Sequence, residues 1–338
     1  MVEKLLLEEV RPIGVLTLED KLPFPSYQAT FFSIRGMPGH LAKIYSHDYI
    51  ASIDLHLEKE PVRSGILRTE RIFATALSDN YPVDIRAVQF SNQEGEDTAL
   101  IKPLIRPGDF LNIRIEDGDL PIGIWTRIGV RVADFHFNRD LVGTAPIRNY
   151  ARFLSELMNE EARLLIRAYP EKRGEIIKMD RIIQEFIVVY AGIINKRHKI
   201  TGYPLDTHGD FELINLALSE KRGLIVDDPA PKDEWKINDP FMDIFFLIED
   251  LRTAGYFNEA EELLIAYQVV FLELTRQNGI NNKDLEAIKE SNALFVLFSE
   301  VYRRTNFLRL AKLRGQPRRQ QRSYILLKEA YDEVKKRI

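Results

Sequence analysis

The sequence contains no cysteine. Disulfides, thiolate-bound zinc, iron–sulfur clusters and thiol nucleophiles are therefore excluded. It also lacks a surplus of one charge: 47 Lys and Arg face 51 Asp and Glu, a formal net charge of −4. The overall basic footprint of a nucleic-acid-binding domain is missing, which argues against nucleic acid as a partner. Long apolar runs are missing too. The longest is Phe186 to Ile194, whereas crossing a bilayer takes ~20 residues, so no membrane association is expected. The start, Met1-Val2-Glu3-Lys4, is charged and leads into no extended apolar stretch. No signal peptide is read there, and the cytoplasm is the expected location. His40, His47, His56 and His198 show no metal-ligand spacing, so no zinc site is expected. No repeat of fixed period and no long low-complexity tract interrupts the chain.

What is present is core material. Hydrophobic residues make up 45% and charged residues 29% of 338 positions, with 19 Phe and 13 Tyr. That balance is globular, and a prior of ~150 residues per domain gives two units. The first third reads as strands. Val15–Leu18, Tyr27–Ile34, Leu41–Tyr45, Val83–Phe90 and Ala99–Ile105 are short, rich in β-branched and aromatic residues, and bounded by turn formers. Ser91–Asp97 is polar and suits a hairpin loop. A helical stripe over Ile66, Leu67, Glu70, Phe73, Ala74 and Leu77 interrupts them. After Pro107-Gly108 the pattern turns helical, with stripes through Trp125 to Phe135, Ile176 to Ile194, Ile244 to Leu251 and Leu263 to Leu274. Strands first and helices afterwards indicate an α+β fold or two separate domains, divided into residues 1–106 and 107–338.

One segment departs from both patterns. A long helix ends near Asn195–Lys199 and another begins near Asp239. Between them lie a loop and two apolar runs, Leu213–Leu218 and Gly223–Val226, with a turn at Glu220–Arg222. This reads as a small hairpin that would hold Asp210, Asn215 and Asp227 near its base. A carboxylate with a carboxamide oxygen is a hard-oxygen set suited to Mg²⁺, which keeps few protein ligands and shares substrate phosphates. A second carboxylate beside such a site can orient an attacking hydroxyl and take its proton. Singly, His208-Gly209-Asp210 reads as a turn and Asp227-Asp228 as a helix-entry cap. As an ordered set between helical blocks they have the arithmetic of a kinase catalytic loop: Asp, four residues, Asn, and a later Asp.

His208-Gly209-Asp210, Asn215 and the strand-end Asp227 resemble the aminoglycoside phosphotransferase family of small-molecule kinases. Asp239-Pro240-Phe241-Met242-Asp243-Ile244 is similar to the segment that follows the metal Asp there. The resemblance spans roughly residues 27 to 310 and is strongest over 205–250. It implies a two-lobed protein-kinase-like fold, with a small β-rich nucleotide-binding lobe and a larger helical lobe. It also implies ATP and Mg²⁺ as cofactors and a small-molecule hydroxyl as acceptor. Asp210 would match the catalytic base, Asn215 and Asp227 the magnesium ligands, and Asp243 a structural anchor. Asp228 adjoins Asp227; the distance to Asp239 favours Asp227. His40-Leu41-Ala42-Lys43-Ile44 looks like the strand carrying the nucleotide lysine, Lys43, with Glu70 as its acidic partner and Glu58 or Glu60 as alternatives. The Ala99–Ile105 segment resembles the strand joining the lobes, whose backbone would read the adenine edge; Lys102 within it is grouped with the cofactor-binding residues.

The sequence departs from the family in two places. Phe32 to Gly39 lacks Gly-x-Gly-x-x-Gly, and Glu212 and Ile214 stand where relatives carry His and Gly. These departures keep open a nucleotide-binding pseudokinase or regulatory module without turnover. A basic cluster, Lys312, Arg314, Arg318, Arg319 and Arg322, reads as a solvated helix connection, with RNA contact as its alternative. His136 is read as packing at a helix end.

Overall fold

The computed structural model describes residues 18–21, 29–34, 40–45, 86–92, 95–137, 149–200, 205–220, 223–227, 237–277 and 281–338. The helical stripe expected around Glu70 lies outside them. Close contacts divide the chain into two compact units, Met1–Leu120 with Ile214–Trp235, and Pro121–Leu213 with Lys236–Ile338.

The first unit carries a five-stranded antiparallel sheet. Its strands are β1 (Leu18–Lys21), β2 (Ala29–Ile34), β3 (His40–Tyr45), β4 (Arg86–Asn92) and β5 (Gly95–Pro103), in the order β1-β2-β3-β5-β4. Lys43 pairs with Phe31 on one side and Leu100 on the other. The β4–β5 ladder runs on to Ser91↔Glu96 and Asn92↔Gly95, through residues expected to form a loop. Ladder bonds are made by backbone groups, so a polar sequence does not end a strand. A turn at Pro107–Asp109 and a one-turn helix α1 (Leu111–Arg114) follow.

Two later strands, β7 (Leu216–Ser219) and β8 (Gly223–Val226), form the expected hairpin, in register from Leu216↔Val226 to Ser219↔Gly223. Its first strand starts later than expected, because Leu213–Asn215 makes a 3₁₀ turn instead. Gly223 has φ 72°, a left-handed conformation open to glycine. Ala217 and Ile225 pack with Ile105 and Phe110. Phe110 also bridges Ala217, and the Arg114 guanidinium donates to the Leu218 carbonyl at 2.8 Å. The hairpin is thus fixed to the chain that leaves β5.

The second unit is helical: α2 (Ile124–Phe137), α3 (Tyr150–Ala168), α4 (Arg173–Ile200), α5 (Pro240–Ala254), α6 (Phe257–Gln277), α7 (Asn282–Leu313) and α8 (Pro317–Lys335). Helix α5 is buried on nearly every side, and its acids Asp243, Glu249 and Asp250 are buried with it. Asp239 caps its N-terminus, accepting from Phe241 N–H, and Gly255 ends it at φ 101°. Helices α5 and α3 both pack on α7, and α2 packs on α6. At that second crossing a Cβ on Gly129 would lie 2.9 Å from Leu263 O and 3.0 Å from Tyr267 N, both backbone atoms, so only glycine fits without a shift. Strands β6 (Leu205–Asp206) and β9 (Ile237–Asn238) pair antiparallel and bring the loop at Thr207 to the start of α5.

A buried cation ties these helices together. The Arg197 guanidinium on α4 donates to both oxygens of Asp239 (2.7 and 3.2 Å). It also donates to Ile288 O, Ser291 Oγ and Asn292 Oδ1 on α7, and lies between the rings of Phe241 and Phe295. A buried charge costs several kcal/mol unless paired; here pairing and capping converge on the residue that starts α5. Among the described residues no helix is long and apolar enough to cross a membrane.

Candidate functional site

The loop carrying Asp210 is held from below by helix α5. Asp243, in its first turn, accepts from the backbone N–H of His208 (2.8 Å) and of Gly209 (2.8 Å). His136 Nε2 on α2 lies 3.1 Å from the same carboxylate, and His136 Nδ1 is 2.9 Å from the Tyr267 hydroxyl. Burial alone would raise the Asp243 pKa. The hydrogen bond and charge of His136, with help from His208, outweigh it and hold the carboxyl below its ordinary value. Gly209 takes φ 75°, where a side chain would be strained. Asp210 follows at once, half-buried, and its carbonyl accepts from Glu212 N–H at 2.9 Å. The packing role read for His136 is therefore specific: it supports the carboxylate that shapes this loop.

A second carboxylate holds the far end. Asp250 accepts from Leu213 N–H at 2.9 Å. Asp243 and Asp250 are seven residues apart, two helical turns, and so share one face of α5. Beside them Glu212 is buried and accepts from the Arg303 guanidinium of α7 at 2.9 Å. Glu212, the residue that departs from the family pattern, thus points into the helical unit. Sequence reading missed Asp250 and the Glu212–Arg303 pair. The available signal was the acid pair Glu249-Asp250, recurring two turns after Asp243 behind five apolar residues.

Asp250 makes stability depend on pH. Burial, then the neighbouring Glu212 charge, raise its pKa to about 6, while Arg319, Leu213 N–H and Arg303 oppose the rise. A carboxyl raised on folding binds its proton more tightly in the native state. Its contribution is therefore full below the unfolded value near 3.9 and lost as pH rises through about 6. Urea unfolding at pH 4.5 and 7.5 should show the wild type losing on the order of 2–3 kcal/mol that an Asp250→Asn variant does not lose.

In the first unit, Asn215 and Asp227 meet at the open end of the hairpin. Asp227 N–H donates to Asn215 O at 2.9 Å, and both side chains are buried. The Lys102 ammonium, near the end of β5, donates to both Asp227 oxygens at 2.9 and 2.8 Å. Three of the residues singled out from sequence are therefore adjacent here, two of them linked through their side chains. One carboxylate and one carboxamide are an oxygen donor set that Mg²⁺ accepts; the residues fit that ion by chemistry, with Lys102 already on the carboxylate. Lys43 is placed by its backbone register on β3, while Glu70 and Asp228 lie outside the described residues.

The basic cluster is partly committed to internal contacts. Arg319 faces Asp250 at 3.7 Å, Arg322 donates to Thr253 O at 3.0 Å, and Lys312 lies over the Tyr169 ring.

No family model matches the sequence, and no curated protein matches it. Solved structures do. Choline kinase from Cryptosporidium parvum matches with a TM-score of 0.53 at 12% identity, over 96% of this chain and 90% of that one. The GDP complex of aminoglycoside 2'-phosphotransferase-IIIa matches with a TM-score of 0.50 at 13% identity, over 94% of each chain. Both are small-molecule kinases of the protein-kinase-like fold, and at such identity the likeness is one of fold. The small antiparallel sheet and the helical remainder of this chain agree with it.

Proposed function

We propose that this protein is an ATP- and Mg²⁺-dependent phosphotransferase acting on a hydroxyl of a small molecule, a sugar, amino alcohol or aminoglycoside-like compound. The observation that carries the reading is the Asp210 loop, pinned through the backbone of His208, Gly209 and Leu213 to two carboxylates of α5. A loop held on both sides keeps one carboxylate in a fixed attitude, as a base that must meet one hydroxyl requires. The fold likeness to a choline kinase and an aminoglycoside phosphotransferase adds support.

In this reading Lys43, with Glu70, and Lys102 hold the nucleotide, and Asn215 and Asp227 hold the metal. Asp210 accepts the acceptor's proton as its oxygen bonds the γ-phosphorus and ADP leaves. Bound Mg²⁺ would neutralise charge on the phosphates. The departures in the Phe32–Gly39 loop and at Glu212 favour a second reading, a nucleotide-binding module without turnover.

Thermal unfolding with ATP and GTP, each with and without Mg²⁺, tests the first step. A ligand at 100 times its Kd adds about 2.7 kcal/mol, worth roughly 2–4 °C per kcal/mol in domains of 150–250 residues. A rise that needs Mg²⁺ and is lost in Asp227→Asn is expected. Absence of any rise would remove the kinase reading. ADP release across a panel of alcohols then separates an enzyme from a binding module.

A further inference from the structure

The Lys102–Asp227 pair poses a question of charge. Lys102 is 2% exposed and its ammonium engages both oxygens of Asp227, whose side chain is 9% exposed. The carboxylate expected to take a divalent cation therefore already holds a cation supplied by the chain. Within this pair each charge offsets the other, which lowers the cost of burying both.

Adding a divalent ion alone changes that balance. Two positive charges would enter beside an ammonium that already engages the carboxylate, where low polarity magnifies repulsion. Adding the ion together with a nucleotide is different, because the phosphates bring several negative charges. A carboxylate has about four lone-pair sites, and an ammonium has three donors that can swing to phosphate oxygens without leaving the site.

Resting on the phosphotransferase reading, we propose that Lys102 is a built-in competitor of the metal at Asp227. It weakens the binding of a free divalent ion and yields the carboxylate when nucleotide phosphates arrive to take the ammonium. Metal and nucleotide then bind as one ligand. The coupling is reciprocal: whatever the nucleotide does for metal affinity, the metal does for nucleotide affinity. Lys102 is in this sense a positioning residue that sets the order of loading.

The test uses the full chain and Mn²⁺, whose paramagnetism reports bound metal without turnover. Mn²⁺ affinity is measured by water-proton relaxation, with and without ADP, in the wild type, Lys102→Gln, Lys102→Arg and Asp227→Asn. Glutamine removes the charge but keeps a donor for Asp227, which protects folding; arginine keeps the charge. The expected result is free Mn²⁺ bound at least about tenfold more tightly by Lys102→Gln, unchanged binding by Lys102→Arg, and loss in Asp227→Asn. The gain in Mn²⁺ affinity on adding ADP should shrink in Lys102→Gln by the same factor. Lys102→Gln binding free Mn²⁺ no better than wild type, while Asp227→Asn loses it, would overturn the role of Lys102 and leave the phosphotransferase reading standing. Mn²⁺ binding that ignores Asp227→Asn, even with ADP present, would overturn both.

Discussion

An Asp210→Asn variant should lose turnover by roughly 10²–10⁴-fold, the range general-base removal costs, while its melting temperature stays within a few degrees of wild type. The two outcomes separate because the loop and its key residue draw on different groups. The loop is fixed by backbone N–H groups of His208, Gly209 and Leu213 on the carboxylates of Asp243 and Asp250. Asparagine at 210 disturbs none of those bonds, and it matches aspartate in size. What it removes is a group able to accept a proton. ADP release with a responsive alcohol, measured beside thermal unfolding, reads both quantities. Turnover near wild type would take the catalytic role away from Asp210.

Asp243→Ala should do the opposite and strike the fold. The carboxylate is buried, accepts two backbone N–H groups, and faces His136. Its removal leaves those donors without an acceptor, each worth about 1–3 kcal/mol. His136, whose Nδ1 keeps the Tyr267 hydroxyl, loses the partner of its Nε2. A loss of about 3–5 kcal/mol is expected, the range for breaking a buried charged contact, and urea unfolding at neutral pH measures it. Acid should mimic the substitution. The Asp243 pKa is lowered on folding, so its contribution is present above the unfolded value near 3.9 and fades as pH falls through the native one. An Asp243→Ala protein should therefore lose less stability in that acid range than the wild type does. Stability equal to wild type would show that the loop is held by something other than this carboxylate.

Much of this was legible in sequence because it was local. The hairpin at Leu216–Val226 announced itself by two apolar runs around a turn. The start of α5 is marked by an N-cap aspartate followed by proline, and the spacing of Asp210, Asn215 and Asp227 marks the segment of the candidate site. The contacts that escaped are those with no local pattern. Lys102 meets Asp227 across 125 positions, and Glu212 meets Arg303 across 91. A lysine inside a β-strand looks alike whether it faces water, a phosphate or a carboxylate. Glu212 is marked in sequence only as a departure from the family pattern; burial against a cation from another helix decides its direction.

The manner in which α5 grips the Asp210 loop bears on how such a protein can diverge. The grip acts on amide hydrogens, which every residue but proline carries, and it demands particular residues only at Asp243, Asp250 and the left-handed Gly209. Ile214, which is exposed, is released from the duty of holding the loop and can change without loosening it. A loop held this way can exchange side chains while the carboxylate at 210 stays where it was. Shape then outlasts spelling, which is the pattern seen when solved structures match along nearly the whole chain at 12–13% identity and no family model matches at all.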